Sequence, residues 1–157
     1  MQPITLSRRV SEDLELGHAG RRNHERRPWT PVHVVVAEDD DDMRNLIVRA
    51  LREEGFKVDA VRSGWELLNY LGARIVDGRA EPPLDLIISD VRMHGITGLS
   101  VLAGLRDTQW MTPFILITAF GDAKLHDEAR RLGALAVFDK PFALGDLRRL
   151  ARETTQC

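Results

Sequence analysis

Cys157 is the only cysteine in this chain of 157 residues, so no disulfide can form within it, and a reduced, cytoplasmic setting is the natural expectation. No apolar stretch approaches the roughly 20 residues that a membrane-spanning helix needs, and the first ten residues lack the apolar core of a secretory signal. No charge sign dominates either: 22 Lys and Arg stand against 24 Asp and Glu, a formal net charge of -2. Nothing in that balance calls for a nucleic acid or a membrane as partner, and neither is expected.

The first 31 residues differ in character from the rest. Six arginines (Arg8, Arg9, Arg21, Arg22, Arg26, Arg27) face four acids (Glu12, Asp13, Glu15, Glu25), a surplus of +2, and Pro28 and Pro31 close the segment. Its apolar residues are sparse and hold no period, so residues 1–31 are expected to be a flexible basic extension. A docking or RNA-contacting arm built on the Arg pairs is the alternative, but apart from Trp29 it lacks interleaved aromatics.

From Val32 onward strand and helix patterns alternate. Val32–Ala37 is a continuous apolar run of the kind buried on both faces of a parallel sheet. Asp40 or Asp41 can cap a helix whose Met43, Leu46, Ile47, Ala50 and Leu51 share a face, and Gly55 ends it. Residues 56–61 alternate as a short strand. Ser63 caps a second helix, expected to turn Trp65, Leu68, Leu71 and Ile75 inward.

The stretch from Gly72 to Pro83 reads as an extension of that helix followed by a Pro-Pro loop. Residues 84–90 form the next apolar strand, and a helix from about Gly98 carries Leu99, Val101, Leu102 and Leu105. Residues 113–118 are a fourth strand, and a polar helix over 121–132 stops at Gly133. Residues 134–140 are the fifth strand, and a last helix over 143–153 turns Leu144, Leu147, Leu150 and Ala151 inward. Five strands alternating with five helices predict an α/β doubly wound parallel sheet with helices on both faces. The compact domain is expected to span 32–153, with 154–157 a short tail.

Such a sheet presents its chemistry at the carboxyl ends of the strands. There the sequence places Glu38 and Asp39, Asp90, Thr118, and Lys140 with Pro141. Carboxylates brought together repel one another unless a cation joins them, and an all-oxygen donor set suits a hard ion such as Mg²⁺. Asp90, projecting from the middle of the sheet, is the best candidate nucleophile; with a metal, an ammonium and a hydroxyl beside it, the set fits phosphoryl transfer.

The run Glu38–Asp42 could instead be a solvated acidic loop, but its place between a buried strand and a capped helix argues against that. Asp40, Asp41 and Asp42 suit the helix start, and the alternating acids and central glycine of an EF-hand are missing. His94 is expected to be an exposed loop residue and His33 a hydrogen-bonded structural one.

The blocks V-V-V-A-E-D-D-D-D-M-R, D-L-I-I-S-D-V-R-M-H-G-I-T-G, I-L-I-T-A-F-G-D and F-D-K-P-F resemble, in order, the four signatures of response-regulator receiver domains, and span residues 32–153. The resemblance implies a flavodoxin-like strand order 2-1-3-4-5. Asp90 becomes the phosphoacceptor, and Mg²⁺ is held by Asp39, Asp90 and the backbone carbonyl of Arg92, with Glu38 acting through water. Thr118 and Lys140 would contact the phosphoryl oxygens, Ala119 would leave room for access, and Lys140-Pro141 would be cis.

It also implies a sensor histidine kinase or histidine phosphotransfer protein as donor. Output would pass through the face of the fourth helix, fifth strand and fifth helix, to a protein target or a phosphorylation-dependent homodimer. With only residues 154–157 beyond the last helix, no output domain is expected.

The sequence departs from that pattern at Glu38, where Asp is usual, and at His94, where proline is usual. Val137 stands at the aromatic switch position, with Phe138 expected on the other face. Arg92 and Phe120 flank the path of the hydrolytic water without an acid or amide to orient it, which predicts slow loss of the phosphoryl group. Two rival readings stand beside it. A haloacid-dehalogenase-like phosphatase needs a second Asp where Arg92 stands; a pseudo-receiver would keep the fold but never be phosphorylated.

Overall fold

The computed structural model describes residues 30–76, 79–80 and 83–156. Almost all of the expected extension over 1–31 therefore lies outside the described residues. Five parallel strands make one sheet: β1 (His33–Ala37), β2 (Lys57–Val61), β3 (Leu86–Asp90), β4 (Phe114–Thr118) and β5 (Ala136–Asp139), in the order 2-1-3-4-5. The helices between and after them are α1 (Asp41–Glu53), α2 (Gly64–Ala73), α3 (Gly98–Asp107), α4 (Ala123–Arg131) and α5 (Leu144–Thr155). This is the doubly wound architecture expected from the sequence.

Side-chain alternation along the strands divides the core in two. Val35, Ala37, Ile87, Phe114 and Leu116 point to one face, where Leu67 and Leu71 of α2, Val101, Leu102 and Leu105 of α3 and Ala129 of α4 cover them. Val34, Val36, Leu86, Ile88, Ile115 and Ile117 point to the other, under Ile47, Val48 and Leu51 of α1 and Leu147 and Ala151 of α5. Val137 packs with the first cluster and Phe138 with the second, the opposition that strand alternation predicts. Phe138 meets the Phe142 ring at a centroid distance of 5.5 Å.

Local chemistry sets the helix ends. Asp40 Oδ1 accepts from Met43 N at 2.7 Å, Ser63 Oγ from Glu66 N at 3.1 Å, Thr97 Oγ1 from Ser100 N at 3.1 Å and Asp122 Oδ1 from Leu125 N at 2.8 Å. Each bond satisfies an amide that has no partner within its helix. Gly55 and Gly133, at φ of 87° and 77°, take the left-handed conformation that stops α1 and α4.

Two expectations about α2 are corrected. Leu67 and Leu71 turn inward, at 0% and 2% exposure, whereas Trp65 and Ile75 lie outward at 59% and 49%. The helix also does not extend: it ends at Ala73, and Ile75–Val76 pairs antiparallel with Arg79–Ala80. The sequence between these arms is Asp77-Gly78, a dipeptide with a strong preference for two-residue hairpins. The two β-branched residues just before it favour a strand over another helical turn.

His33 is the hydrogen-bonded structural residue expected. Arg74 Nη2 lies 3.1 Å from its Nδ1, so Nε2 carries the proton and donates to Asp59 Oδ2 at 2.7 Å. The Tyr70 hydroxyl donates to the same oxygen at 2.8 Å. Burial works against the Asp59 charge, yet these two donors hold its carboxyl below the ordinary range. The cluster fastens the end of α2 to the starts of β1 and β2, at the opposite end of the sheet from the acidic strand ends.

Ile47 is wholly buried under the sheet. Ile47→Ala should lower the unfolding free energy by about 2–5 kcal/mol, seen as a lower urea midpoint at unchanged m-value. Unchanged stability would mean that α1 does not pack as described.

Candidate functional site

The site forms because four parallel strands, β1, β3, β4 and β5, end together and the chain turns away immediately after each. Glu38 follows β1 and is 1% exposed. Its amide donates to Val61 O at 3.1 Å, and its carbonyl accepts from the buried Arg44 Nη1 at 3.0 Å. Asp90 ends β3 at 5% exposure; its Oδ1 accepts from Arg92 N at 3.1 Å, and Val91 N donates to Ile117 O at 2.8 Å. Asp39 is exposed at the rim. Carboxylate oxygens of Glu38, Asp39 and Asp90 all lie within 4.8 Å of one another.

Lys140 reaches this group from the end of β5. Its Nζ lies 3.1 Å from Glu38 Oε2 and 3.1 Å from Asp90 Oδ2, one ammonium bridging two carboxylates from different strands. Its amide donates to Thr118 O at 2.7 Å, which fixes the lysine's backbone against the end of β4. The Lys140-Pro141 bond is cis, as expected. Thr118 is fully buried and its Oγ1 accepts from Phe120 N at 3.2 Å. It sits one residue beyond Ile117, the register partner of Asp90.

Electrostatics follow from the crowding. Burial pushes the Glu38 carboxyl up to about 7, and the hydrogen bond and charge of Asp90 push the same way. Burial alone would lower the Lys140 ammonium, but its bonds to Glu38 and Asp90 hold it above the usual lysine range. Three carboxylates and one ammonium leave a surplus of negative charge, and every donor in the cluster is an oxygen. The set fits a hard divalent cation of the Mg²⁺ class.

Sequence reasoning missed several supporting residues. Arg44 is buried and grips the Glu38 carbonyl, and it also pairs with Asp41. Its helix phase could have shown that it faces the sheet, but nothing in the sequence says which carbonyl it meets. Gly98 packs against the backbone of Asp90; a Cβ there would stand 2.7 Å from Ser89 Oγ and nearer still to the Asp90 carbonyl. His126 Nε2 contacts both carboxylate oxygens of Asp139 at 3.1 Å, tying α4 to the residue before Lys140. His94 is an exposed loop residue, as expected. The Arg92 guanidinium carbon lies 4.8 Å from the centre of the Phe120 ring. Both line an open cavity of about 220 Å³ beside the site, with Asp122, Lys124, Leu125 and Glu128.

Comparison with known proteins agrees with this geometry. The family model of the response regulator receiver domain matches residues 34–152. The transcriptional regulatory protein TcrA of Mycobacterium tuberculosis strain ATCC 25618 / H37Rv is 35% identical over 116 residues, 74% of this chain and 43% of TcrA. The regulatory protein AtoC of Escherichia coli strain K12 is 27% identical over 123 residues, 78% of this chain and 25% of AtoC. The receiver domain of Francisella response regulator 1452 superposes with a TM-score of 0.71 at 24% identity, covering 81% of this chain and 98% of that one. The curated relatives are longer: the chain spans only 25% of AtoC and 51% of FixJ from Bradyrhizobium diazoefficiens.

The raised Glu38 carboxyl gives a signed prediction. In the folded state it binds its proton more tightly than in the unfolded chain. Its contribution to stability is therefore complete below the ordinary glutamate range and is lost as pH rises through about 7. Without divalent cations, urea unfolding of the native chain should lose stability relative to Glu38→Gln between about pH 5 and pH 8. Parallel pH profiles would show that Glu38 ionises normally.

Proposed function

The chain belongs to the response regulator receiver family, and from that premise we propose that it accepts a phosphoryl group on Asp90 from the phosphohistidine of a sensor histidine kinase or histidine phosphotransfer protein. The observation that carries this reading is Lys140 Nζ at 3.1 Å from Asp90 Oδ2 and 3.1 Å from Glu38 Oε2. Family membership supports a role in two-component signal transduction, and it is in that role that the residues acquire a chemistry. The protein acts as a signalling phosphoacceptor and not as a turnover enzyme.

Mg²⁺ would be held by Asp39, Asp90 and the backbone carbonyl of Arg92, with Glu38 acting through water, and would neutralise charge building on the phosphoryl oxygens. An Asp90 carboxylate oxygen attacks phosphorus as the N–P bond of the phosphohistidine breaks. The imidazole leaves with that electron pair and takes up a proton from solvent. The Arg92 amide, already bonded to the other Asp90 oxygen, keeps the nucleophile oriented.

Lys140 then exchanges a carboxylate partner for a phosphoryl oxygen, a charge-assisted bond of the same kind. Thr118 supplies a hydroxyl for a second phosphoryl oxygen, and Ala119 adds little bulk at the mouth of the site. The signal would leave as a change of shape on the face of α4, β5 and α5, read in the cytoplasm by a protein target or by a second copy. No helix among the described residues is long and apolar enough to cross a membrane. In this reading 32–153 is the receiver, 1–31 a basic extension and 154–157 a tail.

Incubation with acetyl phosphate and Mg²⁺ should yield one acid-stable, base-labile phosphoryl group, absent from Asp90→Asn. A native chain that takes up no label would instead identify a pseudo-receiver, and label surviving in Asp90→Asn would place the acceptor elsewhere.

The stacked Arg92 and Phe120 offer no acid or amide to orient an attacking water. The acyl phosphate should therefore outlast many minutes once donor is removed, followed by mass spectrometry of the intact chain. Loss within seconds would show that another group positions water.

A further inference from the structure

Trp65 is a large aromatic on the first turn of α2, 59% exposed, on the outward side of a helix whose buried leucines are Leu67 and Leu71. Its ring is nevertheless engaged. The indole edge occupies the space where Gly95 would carry a Cβ; such an atom would stand 2.6 Å from Trp65 Cδ1 and nearer still to Nε1. Gly95 itself has φ of 83°, a conformation in which an L side chain is strained. The residue before Trp65 makes a second approach to the same loop, since a Cβ on the buried Gly64 would lie 2.7 Å from the Ile96 carbonyl carbon. Two glycines, one on each element, thus let the start of α2 lie directly on residues 95–96.

Those residues belong to the connection between β3 and α3, which holds the Arg92 backbone. Met93 is buried at 8% and Ile96 is half-buried against the core, so the connection is anchored from beneath. Between these anchors His94 and Gly95 are exposed, and Trp65 is the large side chain lying on that crest. The chain from Arg92 to Gly95 contains no proline to stiffen it.

We propose that Trp65 is a positioning residue for the metal site: by lying on Gly95 it holds the 92–96 segment at the height that keeps the Arg92 carbonyl at the metal site and the Arg92 amide on Asp90 Oδ1. This rests on the assignment of Asp39, Asp90 and the Arg92 carbonyl as the Mg²⁺ donors, with Glu38 acting through water. A group that orients a metal ligand from behind commonly changes metal affinity by about tenfold or more when removed. The pyrrole edge of the indole, Nε1 and Cδ1, makes the contact; phenylalanine keeps an aromatic ring at that place and is the conservative replacement. Because Mg²⁺ would draw on the loop that the indole touches, the ring also becomes an internal reporter of occupancy.

The test uses the full chain, unphosphorylated, with Mg²⁺ alone as probe in isothermal titration calorimetry. Trp65→Ala should weaken Mg²⁺ binding by about tenfold with little change in urea midpoint, since the ring is largely exposed; Trp65→Phe should keep most of the affinity. The native-minus-Trp65→Phe difference in indole emission should change on Mg²⁺ saturation, isolating Trp65 from Trp29 and Trp110. Gly95→Ala, which pushes the loop off an intact Trp65, should weaken Mg²⁺ binding as well. Wild-type affinity in Trp65→Ala, or a difference emission indifferent to Mg²⁺, would overturn the proposal while leaving the phosphoacceptor assignment standing. A native chain that binds no Mg²⁺ and forms no acyl phosphate would instead bring down that assignment.

Discussion

Two carboxylates sharing one ammonium at the end of a buried parallel sheet set the terms for the rest of this molecule. Glu38 and Asp90 lie on neighbouring strands and are almost inaccessible, and Lys140 Nζ stands 3.1 Å from each. Like charges about 4 Å apart at a protein surface repel by roughly 4 kcal/mol, and Asp39 adds a third. The lysine offsets only part of that. Burial, with the hydrogen bond and charge of Asp90 behind it, draws Glu38 toward its protonated form. The arrangement is a standing demand for positive charge, which a divalent cation answers.

Holding such a cluster together requires a scaffold that does not yield. The sheet supplies it through two apolar layers that bury β1, β3 and β4 on both faces. Register does the rest: Ala37 pairs with Val61 and Ser89, Asp90 with Ile117, and Thr118 with Asp139. The residues just beyond each strand therefore emerge at one level. Gly98 adds a local condition, because α3 can begin directly against the Asp90 backbone only where no side chain intervenes. Core packing, strand register and one glycine together fix the place of the Asp90 carboxylate.

The strand ends could be read from sequence because each is marked twice, by an apolar run with β-branched residues and by the polar residue that abruptly closes it. Capping marked the helix starts after Asp40 or Asp41 and after Ser63, whereas the caps at Thr97 and Asp122 emerge from the structure. The phase of α2 could not be read in the same way. Trp65, Leu68 and Leu71 fit a helical stripe as well as Leu67, Leu68 and Leu71 do, and hydrophobicity alone favours the larger ring. What decides is the approach of Gly64 to Ile96, a tertiary contact with no local signature. The ladder at Ile75–Val76 was hidden for a related reason. A short apolar pair after a helix continues the helical period until turn chemistry overrides it. Arg44 shows a third limit, since its partner is a backbone carbonyl and carbonyls leave no mark in a sequence.

The same contacts bear on how a change at Asp90 can leave the site without an aromatic at Val137. That side chain packs with the α3 and α4 face, while Phe138 packs with the α1 and α5 face against Phe142; neither ring nor branch spans both. Backbone and polar contacts do. Lys140 N bonds the Thr118 carbonyl, Asp139 is paired in register with Thr118, and the Asp139 carboxylate meets His126 of α4. Gly121 leaves room for that carboxylate, since a Cβ there would collide with it. Any movement of Lys140 toward a new negative charge pulls on a strand end that α4 grips one residue away. In this chain the contacts between Lys140 and α4 run along β5 itself, through hydrogen bonds and not through a ring that spans both faces.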